Sequence, residues 1–205
     1  MNLANKLTVL RLFMVPIFMV VMLLPESVIP FDVMCIVSAA LFILASITDS
    51  LDGKIARSRN MITDFGKFLD PLADKFMVIG ALMCILYRFE SIRVYVLVVT
   101  IIVVFRELAV TAARLVASTS GGVVIAANML GKLKTVFQII FISAVFIEPV
   151  LWKLAASLWS PLGVLTKVLY GFPVAFVAMA ATAVLTLWSG IVYIAGCWKY
   201  INPEK

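Results

Sequence analysis

Six stretches of mostly apolar residues recur along the chain, each near the length that carries a helix across a lipid bilayer. They cover residues 7–24, 33 to the polar run at 48–52, 68–87, 94–116, 133–147 and 173–197. A spanning helix needs about 20 such residues. Inside lipid a backbone must satisfy its own hydrogen bonds, so runs of this length resolve as helices. The pattern predicts an all-α integral membrane protein with six transmembrane helices and a short N-terminal interfacial helix segment. Composition agrees, with 64% of 205 residues hydrophobic and 14% charged, against about 45–50% and about 25% in soluble domains. A soluble enzyme, a nucleic-acid-binding domain and a disordered chain are thereby excluded, and no nucleic-acid partner is expected. Too little polar sequence is left for a second domain, so residues 1–205 read as one membrane domain.

Local features refine the spans. In the first, Lys6 and Arg11 are expected to snorkel to the surface. No small-residue cleavage site follows it, so it does not read as a removed signal peptide. The tract 150–170 holds Trp152, Lys153, Trp159 and Pro161 and reads as interfacial, with tryptophans at headgroup level. Ser118 to Gly122 read as a loop. Cys35, Cys84 and Cys197 sit in apolar runs without ligand or disulfide spacing and read as buried hydrophobes.

The net charge is +6, from 17 Lys and Arg against 11 Asp and Glu. With the N-terminus inside, 11 basic residues fall on the cytoplasmic side, 4 outside and 2 (Lys75 and Arg106) within spans. The reverse orientation would invert the bias, so both termini are expected in the cytoplasm. The chain has no histidine. Imidazole bases and Ser-His-Asp chemistry are excluded, and proton transfer falls to a carboxylate or another group.

Acidic residues gather between the second and third spans. The sequence reads Asp49-Ser-Leu-Asp52-Gly53-Lys-Ile-Ala56-Arg57, then eight residues, then Gly66-Lys-Phe-Leu-Asp70-Pro-Leu-Ala-Asp74. On helices, Asp49 and Asp52 share a face at i and i+3, and Asp70 and Asp74 share one at i and i+4. The polar segment 58–64 can reverse the chain, so two helices would aim four carboxylates at one another near the cytoplasmic surface. Ionised groups at that depth are expensive unless paired. Hard divalent cations with oxygen ligands resolve the repulsion, and two would balance about four negative charges while leaving positions for phosphate oxygens. Gly53 and Ala56 allow a bulky ligand close to the backbone, and Arg57 offers a fork for phosphate. Small residues there also suit plain helix packing.

The pattern D-x2-D-G-x2-A-R-x8-G-x3-D-x3-D, filled at every fixed position, resembles the signature of the CDP-alcohol phosphotransferase family. Asn5, Thr8 and Arg11 add an N-x2-T-x2-R pattern. The resemblance implies transfer of a phosphatidyl-type group from a CDP-linked donor to an alcohol, with release of CMP. It implies that Asp49, Asp52, Asp70 and Asp74 bind two ions of Mg²⁺ or Mn²⁺ and that Asp74 is the general base. It also implies that Asp49, Asp52, Gly53, Ala56, Arg57, Asn5 and Thr8 line the CDP-donor site, and that the protein is a homodimer.

The acceptor is read from the fourth and fifth spans. Arg106-Glu107-Leu-Ala-Val-Thr111-Ala-Ala-Arg114 is followed after a loop by Gly131-Lys132-Leu-Lys134-Thr135. Several cations beside an anionic donor suggest an anionic acceptor, since Arg and Lys bind phosphate well. The positive-inside bias alone could also account for Lys132 and Lys134. The combination resembles the bacterial branch of the family that uses CDP-diacylglycerol and glycerol 3-phosphate and makes phosphatidylglycerol phosphate. By that resemblance Arg106, Thr111, Arg114, Lys132 and Lys134 bind the acceptor phosphate, and the enzyme is a multi-pass protein among the lipids of the cell membrane, its active site facing the cytoplasm. The same family with inositol phosphate or another alcohol as acceptor stays open. A divalent-cation transporter is a rival of another class, opposed by the absence of two interrupted halves and by the clustering of the acids at one membrane side.

Overall fold

The computed structural model describes residues 3–58, 64–121, 129–158 and 171–198 and is helical through nearly all of them. The order is α1 (Leu3–Leu23), α2 (Phe31–Ser58), α3 (Asp64–Arg88), a 3-10 turn (Glu90–Ile92), α4 (Arg93–Gly121), α5 (Met129–Leu158) and α6 (Pro173–Cys197). Five of these contain apolar stretches long enough to cross a bilayer: Lys6–Leu23, Phe31–Asp49, Glu90–Ala117, Met129–Ala155 and Pro173–Cys197. The other, α3, has 25 residues. Asp64, Lys67, Asp70, Asp74 and Lys75 break up its first half, and only the stretch from Phe76 to Tyr87 is uniformly apolar. The chain is therefore an all-helical protein of the membrane-spanning kind.

Several boundaries differ from expectation. Leu3–Lys6 continue the spanning helix α1 without a break. Ser118–Gly121 belong to α4, not to a loop. Extending an existing helix adds one hydrogen bond per residue fixed, which outweighs the modest propensity of Ser and Thr. Gly122 lies outside the described residues. Helix α5 runs on through Pro149 to Leu158 instead of ending near residue 147. Membrane helices tolerate such prolines because neighbouring groups can satisfy the freed carbonyl. Trp152 and Lys153 are thus helical, whereas Trp159, Pro161 and the rest of the expected interfacial tract lie outside the described residues.

The chain divides into two compact units. Unit 1 comprises residues Met1–Arg93 and Ile142–Ala175. There α1 packs along both α2 and α3. Helices α1 and α3 come close at Gly80, where an added Cβ would stand 3.1 Å from the Met19 sulfur. Aromatic rings fill the interior: Phe18 meets Phe42 and Phe146 at 6.3 and 5.7 Å, and Phe89 meets Phe146 and Phe172 at 6.1 and 6.0 Å. Glu148, buried in α5, accepts hydrogen bonds from the backbone N–H groups of Val174 (2.7 Å) and Ala175 (3.1 Å). It satisfies two of the four donors that any helix N-terminus leaves open, here at the start of α6. At the C-terminal ends of α1 and α3 stand the ion pairs Arg88–Glu26 at 3.5 Å and Lys153–Asp32.

Unit 2 comprises Val94–Phe141 and Phe176–Lys205. Tyr95 and Phe176 stack edge to face at 5.3 Å, and Val110, Ala113, Tyr193 and Cys197 form a buried cluster. Large apolar side chains also point outward, Phe105, Val177 and Ile191 being about 70% exposed. An outward apolar face is what lipid, rather than water, requires. All three cysteines are free and buried.

Candidate active site

Helix α2 carries Asp49, Asp52, Gly53, Ala56 and Arg57 without interruption, and α3 carries Gly66, Asp70 and Asp74. The acidic motif therefore occupies the facing ends of two successive helices, with 59–63 outside the described residues. Asp49 and Asp52 fall within one turn of α2, and Asp70 and Asp74 within one turn of α3. The side chains of Asn5, Asp52, Ala56 and Arg57, and the surroundings of Gly53, also lie outside the described residues.

The carboxylates are drawn together through α1. Thr8 Oγ1 donates to Asp70 Oδ1 at 2.8 Å, and Arg11 Nη1 donates to Asp49 Oδ1 at 2.5 Å. Thr8 and Arg11 are three residues apart, hence on one face of α1 with a rise of about 4.5 Å between them. One stripe of α1 thus binds one acid from α2 and one from α3.

Arg11 was expected to snorkel. Instead its side chain is fully buried and paired with Asp49, which is 37% exposed. The correction has a simple cause: an intramembrane cation costs least where an anion is within reach, and α2 supplies one. Lys6 is exposed, as a snorkelling residue would be. Thr8, expected at the donor site, is also fully buried, with its hydroxyl on Asp70. Gly66 is buried, Asp70 exposed and Asp74 half-buried, one turn beyond Asp70 on the same face of α3.

The donor set suits a hard divalent cation because it consists of carboxylate oxygens alone. A carboxylate has two oxygens, so the single bonds from Thr8 and Arg11 leave each acid an oxygen for a ligand. Among the described residues no group of three acids, cysteines or histidines stands close enough to hold a metal ion. The fourth acid of the motif, Asp52, is outside that set.

The expected acceptor cations lie in unit 2. Glu107 Oε1 accepts from Arg106 Nη1 at 2.9 Å and from Lys134 Nζ, which joins α4 to α5. Two of the five expected acceptor residues, Arg106 and Lys134, therefore meet on one carboxylate. Arg114 is exposed; its Nε lies 3.4 Å from the Tyr193 hydroxyl and its guanidinium 5.8 Å from that ring's centre. Thr111 spends its hydroxyl proton on the Glu107 carbonyl at 2.6 Å. Lys132 is exposed. The structure thus gathers Arg106 and Lys134 and gives Arg114 a separate partner on α6.

Two residues were not assigned from the sequence. Glu107 was visible only as an acid beside an arginine, a spacing that says nothing about Lys134, 27 positions later. Tyr193 sits in an apolar run of α6 and carries no polar signal of its own.

With this geometry in view, the family relationship is clear. The sequence model described as CDP-alcohol phosphatidyltransferase matches residues 1–188, and the chain belongs to that family of phosphotransferases. It is 40% identical to the CDP-diacylglycerol–glycerol-3-phosphate 3-phosphatidyltransferase of Bacillus subtilis, over 100% of this chain and 99% of the relative. It is 37% identical to a probable phosphatidylglycerophosphate synthase of Mycobacterium tuberculosis, over 98% of this chain and 84% of the relative. A Salmonella paratyphi A protein named like the Bacillus relative is 34% identical over 95% and 93%.

Proposed function

We propose that this protein transfers the phosphatidyl group of CDP-diacylglycerol to the sn-1 hydroxyl of glycerol 3-phosphate, giving phosphatidylglycerol phosphate and CMP. The carrying observation is the tie of Asp49 and Asp70 to one stripe of α1, which brings the two halves of the acidic motif together. The names of the relatives support the choice of donor and acceptor.

In this reading residues 1–205 act as one catalytic domain. Asp49, Asp52, Asp70 and Asp74 hold two divalent cations, Mg²⁺ or Mn²⁺, which offset the charge of the donor's pyrophosphate. Gly53 and Ala56 leave room for the cytidine diphosphate, and Arg57 takes a phosphate oxygen, with Asn5 and Thr8 at its edge. Arg106, Arg114, Lys132 and Lys134, with Thr111 beside them, hold the acceptor's phosphate. Asp74 accepts the proton of the sn-1 hydroxyl. That oxygen attacks the β-phosphorus in line, the bond to the CMP oxygen breaks, and CMP leaves with the electron pair. A carboxylate is the natural base in a chain without histidine.

The site faces the cytoplasm. Supporting this, the acidic motif and the ion pairs Arg88–Glu26 and Lys153–Asp32 occupy opposite helix ends within unit 1. The basic residues flanking the motif then fall on the inner side. The working assembly is a homodimer, which light scattering of the detergent-solubilised protein checks.

The test is a transfer assay with purified protein, CDP-diacylglycerol, Mg²⁺ and competing acceptors. CMP release should depend on glycerol 3-phosphate and cease on chelation of the metal. Faster release with inositol phosphate would replace the acceptor. Ion flux through proteoliposomes without CMP release would replace the function.

A further inference from the structure

A pocket meant for an anion has no evident use for a buried acid, yet Glu107 lies between its cations. Its Oε1 accepts from Arg106 Nη1 at 2.9 Å and also from Lys134 Nζ. The three side chains are 19%, 14% and 7% exposed in the order Glu107, Arg106, Lys134. Two cations buried side by side would repel each other and, unpaired, would be strongly destabilising. With Glu107 between them the trio carries a net charge of one positive unit.

The same carboxylate fixes direction as well as charge. The aliphatic stem of Arg106 lies on Gly190, where an added Cβ would come within 3.1 Å of its Cγ. Its Nη1 is turned to Glu107. Its Nη2 stands 3.7 Å from where a Cβ on Gly131 would be. Stem and one arm of the guanidinium are therefore held, while a residue without a side chain borders the other arm. A guanidinium grips phosphate through paired N–H groups in a fixed plane, so its orientation decides how well it binds.

We propose that Glu107 is a positioning residue for the acceptor's phosphate. It holds Arg106 and Lys134 at a set separation, and Gly131 keeps the Nη2 arm open so that one phosphate group can be taken by both cations. The inference rests on the reading that these cations bind a phosphorylated acceptor. Without Glu107 the charged ends of both side chains lose the carboxylate that sets their positions, and affinity falls by about tenfold or more.

Two measurements on the full-length protein in detergent test it. One is calorimetric titration with inorganic phosphate and with glycerol 3-phosphate; the other is transfer kinetics with each substrate varied. Glu107→Gln should weaken phosphate binding and raise the acceptor KM about tenfold. The KM for CDP-diacylglycerol should stay within about twofold, and Glu107→Asp should recover part of the loss. A positioning role predicts this loss although the substitution adds a unit of positive charge. Equal or tighter phosphate binding by Glu107→Gln overturns the proposal, as does an equal change in both substrates' KM. Gly131→Val leaves the ion pairs intact and fills the space beside Nη2. It should raise the acceptor KM with an unchanged melting temperature, and it decides the matter if the glutamine variant does not fold; an unchanged KM overturns the proposal. Wild-type protein that binds phosphate but releases no CMP would refute the proposed function while leaving the phosphate titration to judge Glu107. Wild-type protein that binds no phosphate overturns this inference directly.

Discussion

Asp74 and Gln138 show how differently two buried or half-buried polar residues can be employed. Asp74 lies one turn beyond Asp70, on the face of α3 that α1 reaches through Thr8. Replacing it by Asn keeps shape and removes the proposed proton acceptor. Asp74→Asn should lower turnover by at least a factor of about 100, the low end for a lost general base, while CDP-diacylglycerol still binds in a filter assay. Unchanged turnover would take Asp74 out of that role. Gln138 is 2% exposed, and its Nε2 finds no hydrogen-bond partner among the described residues. An unsatisfied buried amide costs about 1–3 kcal/mol. Gln138→Leu should accordingly raise the melting temperature; a clear fall would show that the amide is satisfied in the folded protein.

At the scale of elements, α1 acts as a bracket. It packs on both α2 and α3, and its Thr8 and Arg11 hold one acid from each. At Gly80 the bracket closes tightly, α3 lying against Met19 and Val15. Ala at this position meets the flexible end of Met19 and should be nearly neutral. Gly80→Leu should overpack the contact and destabilise by about 1–3 kcal/mol. Its activity should fall further than its melting temperature alone accounts for, because displacing α1 misplaces Asp49 and Asp70 together. Full activity at temperatures where the variant is folded would show that the bracket is not needed. The helices themselves were legible in the sequence, because long apolar runs admit few alternatives. Their ends were less so: α4 passes through Ser118–Gly121 and α5 through Pro149, where local propensity pointed to a stop. In each case continuing an established helix outweighs a few unfavourable residues.

For the whole molecule, charge distribution predicts how the chain lies in the bilayer. Lys6 is exposed near the start of α1, and Glu26 is exposed just beyond its other end, its side chain 65% accessible. Since the native cysteines are all buried, introduced thiols can report orientation against a low background. Glu26→Cys should react with an impermeant maleimide in intact cells, and Lys6→Cys only after permeabilisation. The reverse labelling pattern would place the acidic motif on the outer face and contradict the proposed access of the acceptor from the cytoplasm.

Composition and spacing alone determined that this chain is helical and that it belongs in a membrane, and they singled out Asp49, Asp52, Asp70 and Asp74 as the candidate centre of its chemistry. Those features are written in local order: apolar length sets the helix, and intervals of three and four set the face. Tertiary structure alone decided that Arg11 is buried against Asp49 and not raised to the surface, and that Glu107 joins Arg106 to Lys134. Arg11 with Asp49 and Lys134 with Glu107 are pairings of opposite charges far apart in sequence. No periodicity encodes such a pair; it exists only once packing has brought two helices to the same place, where burial makes a charge costly unless an opposite charge is within reach.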